Sequence, residues 1–307
     1  MPKRRRSTRF LLLLFLVALA AAGYALTRDI ETRTHTYLTI AKTWRAVWPL
    51  EAGADLGERT RFLFRPVTPV RVEVEPGLVM TLDPDDYVGR KIIMTGQWEN
   101  PTWQRIEGAL APGGTFIDVG AHIGYYSLKA AKLVGDSGTV ITVEPNPVTL
   151  DVLRQNILDS QASAVELFPV ACSDTDAELE LFHPARSNTG VASLSASNAG
   201  LAGQVEESYR VQARPLDSIV ADINPAAVNA IKIDVEGAEM LVLQGARRTL
   251  TAYDPVVIVE VIERQLDDMG TSADELVGFL ADLGYQKIAA ENSNWFFAKH
   301  GGTAQSR

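Results

Sequence analysis

The chain has 307 residues, 46 % of them hydrophobic, which suits one large domain or two small ones and is too apolar for a disordered protein. Cys172 is the single cysteine, so a disulfide framework and a cysteine-built zinc site are both excluded. A net charge of −9 argues against general nucleic-acid binding, and the charge is uneven: residues 1–50 hold nine Lys/Arg against two Asp/Glu, the remainder 20 against 36.

The basic end reads as a membrane element. Lys3, Arg4, Arg5, Arg6 and Arg9 precede an uncharged run from Phe10 to Leu26. In a helix that run is roughly 26 Å long, just enough to cross a hydrocarbon core of about 30 Å. A cleaved signal peptide ending in Ala20-Ala21-Ala22-Gly23 is one reading and an uncleaved anchor over 1–28 the other; the length of the run favours the anchor. Over 29–69 an amphipathic helix and a linker follow. Tyr37, Ile40, Ala41, Trp44, Val47 and Trp48 recur at helical spacing, which suits either a headgroup-level helix or one packed on the main domain.

The domain proper is expected over 70–300. Val70–Val74 and Leu78–Leu82 read as a lead-in hairpin around Pro76-Gly77. Then strands alternate with helices: strand Thr115–Val119, helix Tyr125–Val134, strand Thr139–Glu144, helix Val148–Leu158 and strand Val165–Ala171. After a stretch of weak periodicity from Pro184 to Tyr209 come strand Ala230–Val235, helix Ala238–Leu250, strand Val256–Val261, helix Ser272–Leu283 and a closing hairpin of Gln286–Ala289 and Trp295–Ala298. This alternation predicts an α/β, doubly wound, Rossmann-like sheet whose ligand sits beyond the carboxyl ends of its strands.

Three landmarks lie at those ends. The first strand runs into Asp118-Val119-Gly120-Ala121-His122-Ile123-Gly124. Gly120 allows a tight turn and a close backbone approach, Gly124 a close helix–sheet contact, and Asp118 sets a carboxylate at the mouth. Gly-x-x-x-Gly lacks the amide cluster that a pyrophosphate needs and suits a nucleoside ligand better. The second strand ends in Glu144-Pro145-Asn146-Pro147; Glu144 can accept hydrogen bonds from both hydroxyls of a ribose, or serve as a helix N-terminal acid. The fourth ends in Ile233-Asp234-Val235-Glu236-Gly237-Ala238-Glu239. Three acids there could orient a substrate, bind a divalent ion or remove a proton, although helix capping accounts for one of them. No metal ligand set is assigned.

Together with Ser187-Asn188-Thr189-Gly190, Leu216-Asp217-Ser218 and Gly96-Gln97-Trp98-Glu99, these landmarks resemble the FkbM family of S-adenosylmethionine-dependent methyltransferases, in order and spacing, from about Val70 to Ala298. The resemblance implies a class I methyltransferase fold, a seven-stranded sheet with its last strand antiparallel. It implies S-adenosylmethionine as donor and a hydroxyl oxygen as the usual acceptor. By position Asp118, Gly120, His122 and Gly124 would form the cofactor loop, Glu144 with Asn146 the ribose end, and the stretch up to Asp174 the adenine side. His122 departs from the Asn usual in the family and adds a titratable ring.

For a hydroxyl acceptor a base is needed, and the candidates are Asp234, Glu236 and Glu239, with His183 as an outlier. The acceptor is expected to be a glycan, a lipid or a secondary metabolite. The partners are then that acceptor and the membrane through the N-terminal segment, with no nucleic acid. The positive charge before the apolar run places the N-terminus in the cytoplasm and the domain outside, away from where the donor is made, so the membrane face stays open. A catalytically degenerate binding module on the same fold and an NAD-linked oxidoreductase are the rival readings.

Overall fold

Pro76-Gly77 turns the chain back on itself, and strand β1 (Val70–Glu75) pairs antiparallel with β2 (Leu78–Leu82), Val70 opposite Leu82 and Val72 opposite Met80. The computed structural model describes residues 69–184, 189–201 and 204–299. Helix α1 (Tyr87–Thr95) follows, capped by Asp86, whose carboxylate accepts from the Gly89 N–H, and closed by Gly96 in the left-handed region. The chain divides into two compact units between Trp98 and Glu99. The anchor, amphipathic stretch and linker expected before residue 69 lie outside the described residues, as do Ser187 and Asn188. Among the described residues no helix is long and apolar enough to cross a membrane.

The second unit opens with α2 (Asn100–Ala109) and then builds the expected alternation: β3 (Thr115–Val119), α3 (Tyr125–Val134), β4 (Thr139–Val143), α4 (Pro147–Asp159) and β5 (Val165–Phe168). Next come β6 (Ala171–Cys172), β7 (Ala177–Pro184), α5 (Ala196–Gly200), β8 (Val205–Arg214) and α6 (Leu216–Ile223). The chain closes through β9 (Ala230–Ile233), α7 (Glu239–Gly245), α8 (Arg247–Tyr253), β10 (Val256–Glu260), α9 (Glu263–Asp268), α10 (Ala273–Asp282), β11 (Tyr285–Glu291) and β12 (Asn294–Lys299). The main sheet has seven strands in the order β11-β12-β10-β9-β3-β4-β5. β10, β9, β3, β4 and β5 run parallel, and β12 is antiparallel to both of its neighbours. Order reverses at β3, the switch point where such sheets bind ligands. The topology is that of a class I methyltransferase.

Two expectations change in detail. The strand drawn over Val165–Ala171 ends at Phe168, because Pro169 has no N–H to give the ladder; Ala171 and Cys172 join a second sheet of order β6-β8-β7. The helix drawn over Ala238–Leu250 is two helices. Asp217 accepts from the backbone N–H of Arg248 (2.9 Å) and of Thr249 (2.7 Å), so α8 starts afresh under a cap supplied by a distant carboxylate.

Candidate active site

At the carboxyl edge of the main sheet, the ends of β3, β4 and β9 and a wall from the second sheet enclose a hollow. Its lining includes Gly120, His122, Val143, Glu144, Cys172, Leu181, Asp234 and Glu236. The chain reaches it from β3 through Gly120, at φ +82°, where a Cβ would run into the carbonyl oxygen of Asp234. Gly124, at φ +89°, lets the start of α3 press on Leu153 instead of facing the hollow. Gly120→Ala is therefore expected to cost at least about 2 kcal/mol and to lower the thermal midpoint by roughly 5 °C or more, as calorimetry of the full chain would show.

Glu144 is the best-fixed acid of the hollow. Its Oε2 accepts from the His122 N–H at 2.7 Å and its Oε1 from the Asn146 N–H at 2.8 Å. Burial pushes its carboxyl up to about 7, against the pull of those two amides. Asn146 caps α4 with its Oδ1 and places its Nδ2 3.1 Å from His183 Nδ1; both residues are buried. Pro147 opens α4 at its first position, where the missing N–H costs nothing.

Asp234 and Glu236 meet Glu144 across the hollow. Asp234 Oδ2 accepts from Lys232 Nζ at 2.6 Å, and Glu236 accepts from the Gln265 side chain. Burial works against the Asp234 charge, but Lys232 outweighs it and holds the carboxyl below its ordinary value. Burial, and next the charge of Asp234, push Glu236 up to about 8. On the far wall Ser193 Oγ (2.7 Å) and Asn198 Nδ2 (3.2 Å) donate to the carbonyl oxygen of Glu236, which sits at φ +55°.

The expected residues thus separate. Gly120, His122, Glu144, Asp234 and Glu236 come together in the lining. Asp118 does not: it is 1 % exposed, accepts from Ser127 Oγ at 2.6 Å, and lies behind the lining with its Oδ1 lacking a hydrogen-bond partner among the described residues. The expectation that Asp118 and Glu144 share one hollow is therefore corrected: Glu144 lines it and Asp118 does not. Glu239 turns back on its own loop and accepts from the Val235 and Gly237 N–H groups, so it shapes the loop instead of facing the hollow. Asp174 is exposed and its partners are Ser173 and Thr175; Cys172 takes its place in the wall. Asn146 acts behind Glu144 as a cap.

The lining chemistry selects its ligand. Among the described residues three acids and no Lys or Arg line the hollow, which suits a cationic ligand and opposes a pyrophosphate. Apolar Val143, Ala171, Cys172 and Leu181 offer faces for a base ring. The hollow has about 50 Å³ of free volume among the described residues, room for a few waters.

Comparison with known proteins agrees with this chemistry. The Methyltransferase FkbM domain model matches residues 118–287. Methyltransferase 1 of Beauveria bassiana is 30 % identical over 148 residues, 44 % of this chain and 59 % of that protein. The AMB antimetabolite synthetase AmbE of Pseudomonas aeruginosa is 25 % identical over 237 residues, 67 % of this chain and 11 % of that protein. The chain thus spans less than two thirds of the length of either relative. Among solved structures, methyltransferase FkbM from Methylobacillus flagellatus KT aligns with a TM-score of 0.39 and 19 % identity, over 61 % of this chain and 44 % of that one. The TYW2 protein of M. jannaschii, solved with AdoMet, aligns with a TM-score of 0.39 and 15 % identity over 75 % of this chain and 83 % of its own. The domain match takes in more than half of the sequence, and the chain belongs to the FkbM methyltransferase family, whose methyl donor is S-adenosylmethionine.

Proposed function

We propose that this protein methylates a hydroxyl oxygen of a glycan, lipid or secondary metabolite, with Asp234 as the base. The observation that carries the reading is the facing pair in one hollow: Glu144, fixed by two amides, and Asp234, held ionised by Lys232. Bound there, S-adenosylmethionine supplies an electrophilic methyl carbon on a sulfonium leaving group. Glu144 accepts from the ribose hydroxyls, and Val143, Cys172 and Leu181 keep water from the adenine side. Asp234 takes the hydroxyl proton onto a carboxylate oxygen, as a high-pKa acceptor requires. Glu236, with its raised pKa, is protonated near neutrality and can donate a hydrogen bond to the acceptor.

Attachment to a membrane through the basic, apolar N-terminal segment belongs to the same reading, because it would hold the domain beside lipid-linked acceptors. The test is transfer of label from methyl-labelled S-adenosylmethionine to a membrane extract by the full chain, followed by chemistry of the labelled product. An ether-type methyl that survives mild alkali is the expected result. Label released by mild alkali identifies an ester and refutes hydroxyl methylation, and a parallel titration in which NAD binds and S-adenosylmethionine does not refutes the donor.

A further inference from the structure

Lys232 is the middle of Ile231-Lys232-Ile233 on β9, a strand buried along its whole length, and it is 2 % exposed. A lysine so placed is tolerated only when its charge is matched. Its Nζ donates to Asp234 at 2.6 Å and stands 4.8 Å from the centre of the Tyr126 ring, a cation–π contact. The Tyr126 hydroxyl in turn donates to Glu99 at 2.8 Å, and Asn294 Nδ2 donates to the same carboxylate at 3.1 Å.

Ionisable groups face this pair from every neighbouring element. Asp118 is its register partner on β3; Glu99 comes from the start of α2, Tyr126 from α3 and His122 from the glycine loop. Glu236 and Glu239 come from the acid loop and Glu260 from the end of β10. Asp234, Glu236 and Glu260 bring carboxylate oxygens within 4.8 Å of one another, and three carboxylates that close do not all stay ionised. Only Asp234 both lines the hollow and receives the Lys232 hydrogen bond; Glu236 is bonded to Gln265, and Glu260 accepts from Ser293 outside the lining.

We propose that Lys232 is the positioning residue that decides which of the three acids is ionised, keeping Asp234 as the carboxylate and leaving the proton on its neighbours. This rests on the reading of Asp234 as the base. The charges order themselves accordingly: Asp234 is held below its ordinary value, while burial and then the charge of Asp234 push both Glu236 and Glu260 up. Without the ammonium, the proton would redistribute over the cluster and the base would be masked at a pH where it now works.

The test uses the full chain and label transfer to a membrane extract across pH 5–9. Lys232→Met, which keeps length and removes charge, is expected to lower turnover about tenfold or more and to move the acidic limb of the pH profile up by about one unit or more. The KM for S-adenosylmethionine should stay within about twofold, and Lys232→Arg should return the limb towards its original place. Loss in Lys232→Met, Asp234→Asn combined should equal that of Asp234→Asn alone. An unmoved limb in Lys232→Met that still binds S-adenosylmethionine, or losses that multiply, would overturn the proposal. Should Lys232→Met fail to fold, carbon-13 titration of the aspartate carboxyls in the unmodified chain decides it, with Asp234 assigned by the signal missing from Asp234→Asn. A signal still ionised at pH 5 supports the role, and one that titrates above pH 6 refutes it. Full turnover in Asp234→Asn would defeat the base reading separately, whatever that titration shows.

Discussion

Asp234→Asn is expected to reduce turnover by roughly 10²–10⁴-fold while S-adenosylmethionine affinity stays within about threefold. The substitution keeps the side-chain shape and an oxygen that can still accept from Lys232, and Asp118 and Glu99 remain to balance the ammonium. What it removes is the ability to take a proton. The measurement is initial rate at saturating donor, set beside calorimetric affinity. The two readouts split cleanly, because a residue that acts on the hydroxyl changes the rate, whereas one that holds the donor changes the affinity. A large affinity loss would move Asp234 from proton acceptor to cofactor ligand.

Glu144→Ala is expected to weaken S-adenosylmethionine binding at least about tenfold, the scale of a lost charge-assisted hydrogen bond of about 1.5–3 kcal/mol. The same change leaves the His122 and Asn146 N–H groups without their acceptor, so stability falls as well. Glu144→Gln separates the two effects, since its remaining oxygen still serves one amide. The pH dependence provides a second check. Burial holds the Glu144 carboxyl near 7, and a cation with a ribose diol favours the ionised form. Affinity should therefore rise with pH through about 7, by about tenfold between pH 6 and 8, and the rise should vanish in Glu144→Gln.

How far the residues announced this arrangement follows from the kind of signal each carries. β3, α3 and the lead-in hairpin have the expected bounds or nearly so, because short β-branched runs and glycine stops are local signals. The second sheet has no counterpart among the expected strands, yet Ala177-Glu178-Leu179-Glu180-Leu181 alternates apolar with charged, the pattern of a half-buried strand. The stretch expected to be weakly periodic, Pro184 to Tyr209, runs into Val205–Arg214, a strand of that sheet. Helices α6 and α9, eight and six residues long, are too short to stand out as helical segments in the sequence.

At the site, Gly120, Glu144 and Asp234 were legible because their places at strand ends follow from the alternation. What was not legible was direction. Asp118 and Glu239 are expected at the hollow from their places at strand ends, and Asp174 from the family resemblance, but neither signal says whether a carboxylate faces a ligand or its own backbone. Lys232 lies inside the expected strand Ala230–Val235 with no role there, because its importance depends on Asp118, Tyr126, Glu99 and Glu260, which only the register and the packing bring to it.

The pairing of β3 with β9 joins stretches far apart in the chain; the bond from the Thr115 N–H to Asn229 Oδ1 at their start spans 114 positions. Glu144 belongs to the stretch before that seam and Asp234 to the one after it, with the whole second sheet laid down between them. Neither fragment of a chain cut in that interval would hold both Glu144 and Asp234. Such long-range pairing also makes assembly of the centre slow relative to its helices. Two separately produced fragments would have to dock along this line of backbone hydrogen bonds, together with side-chain contacts such as Lys232 on Tyr126 and Asn294 on Glu99, to bring Glu144 and Asp234 together.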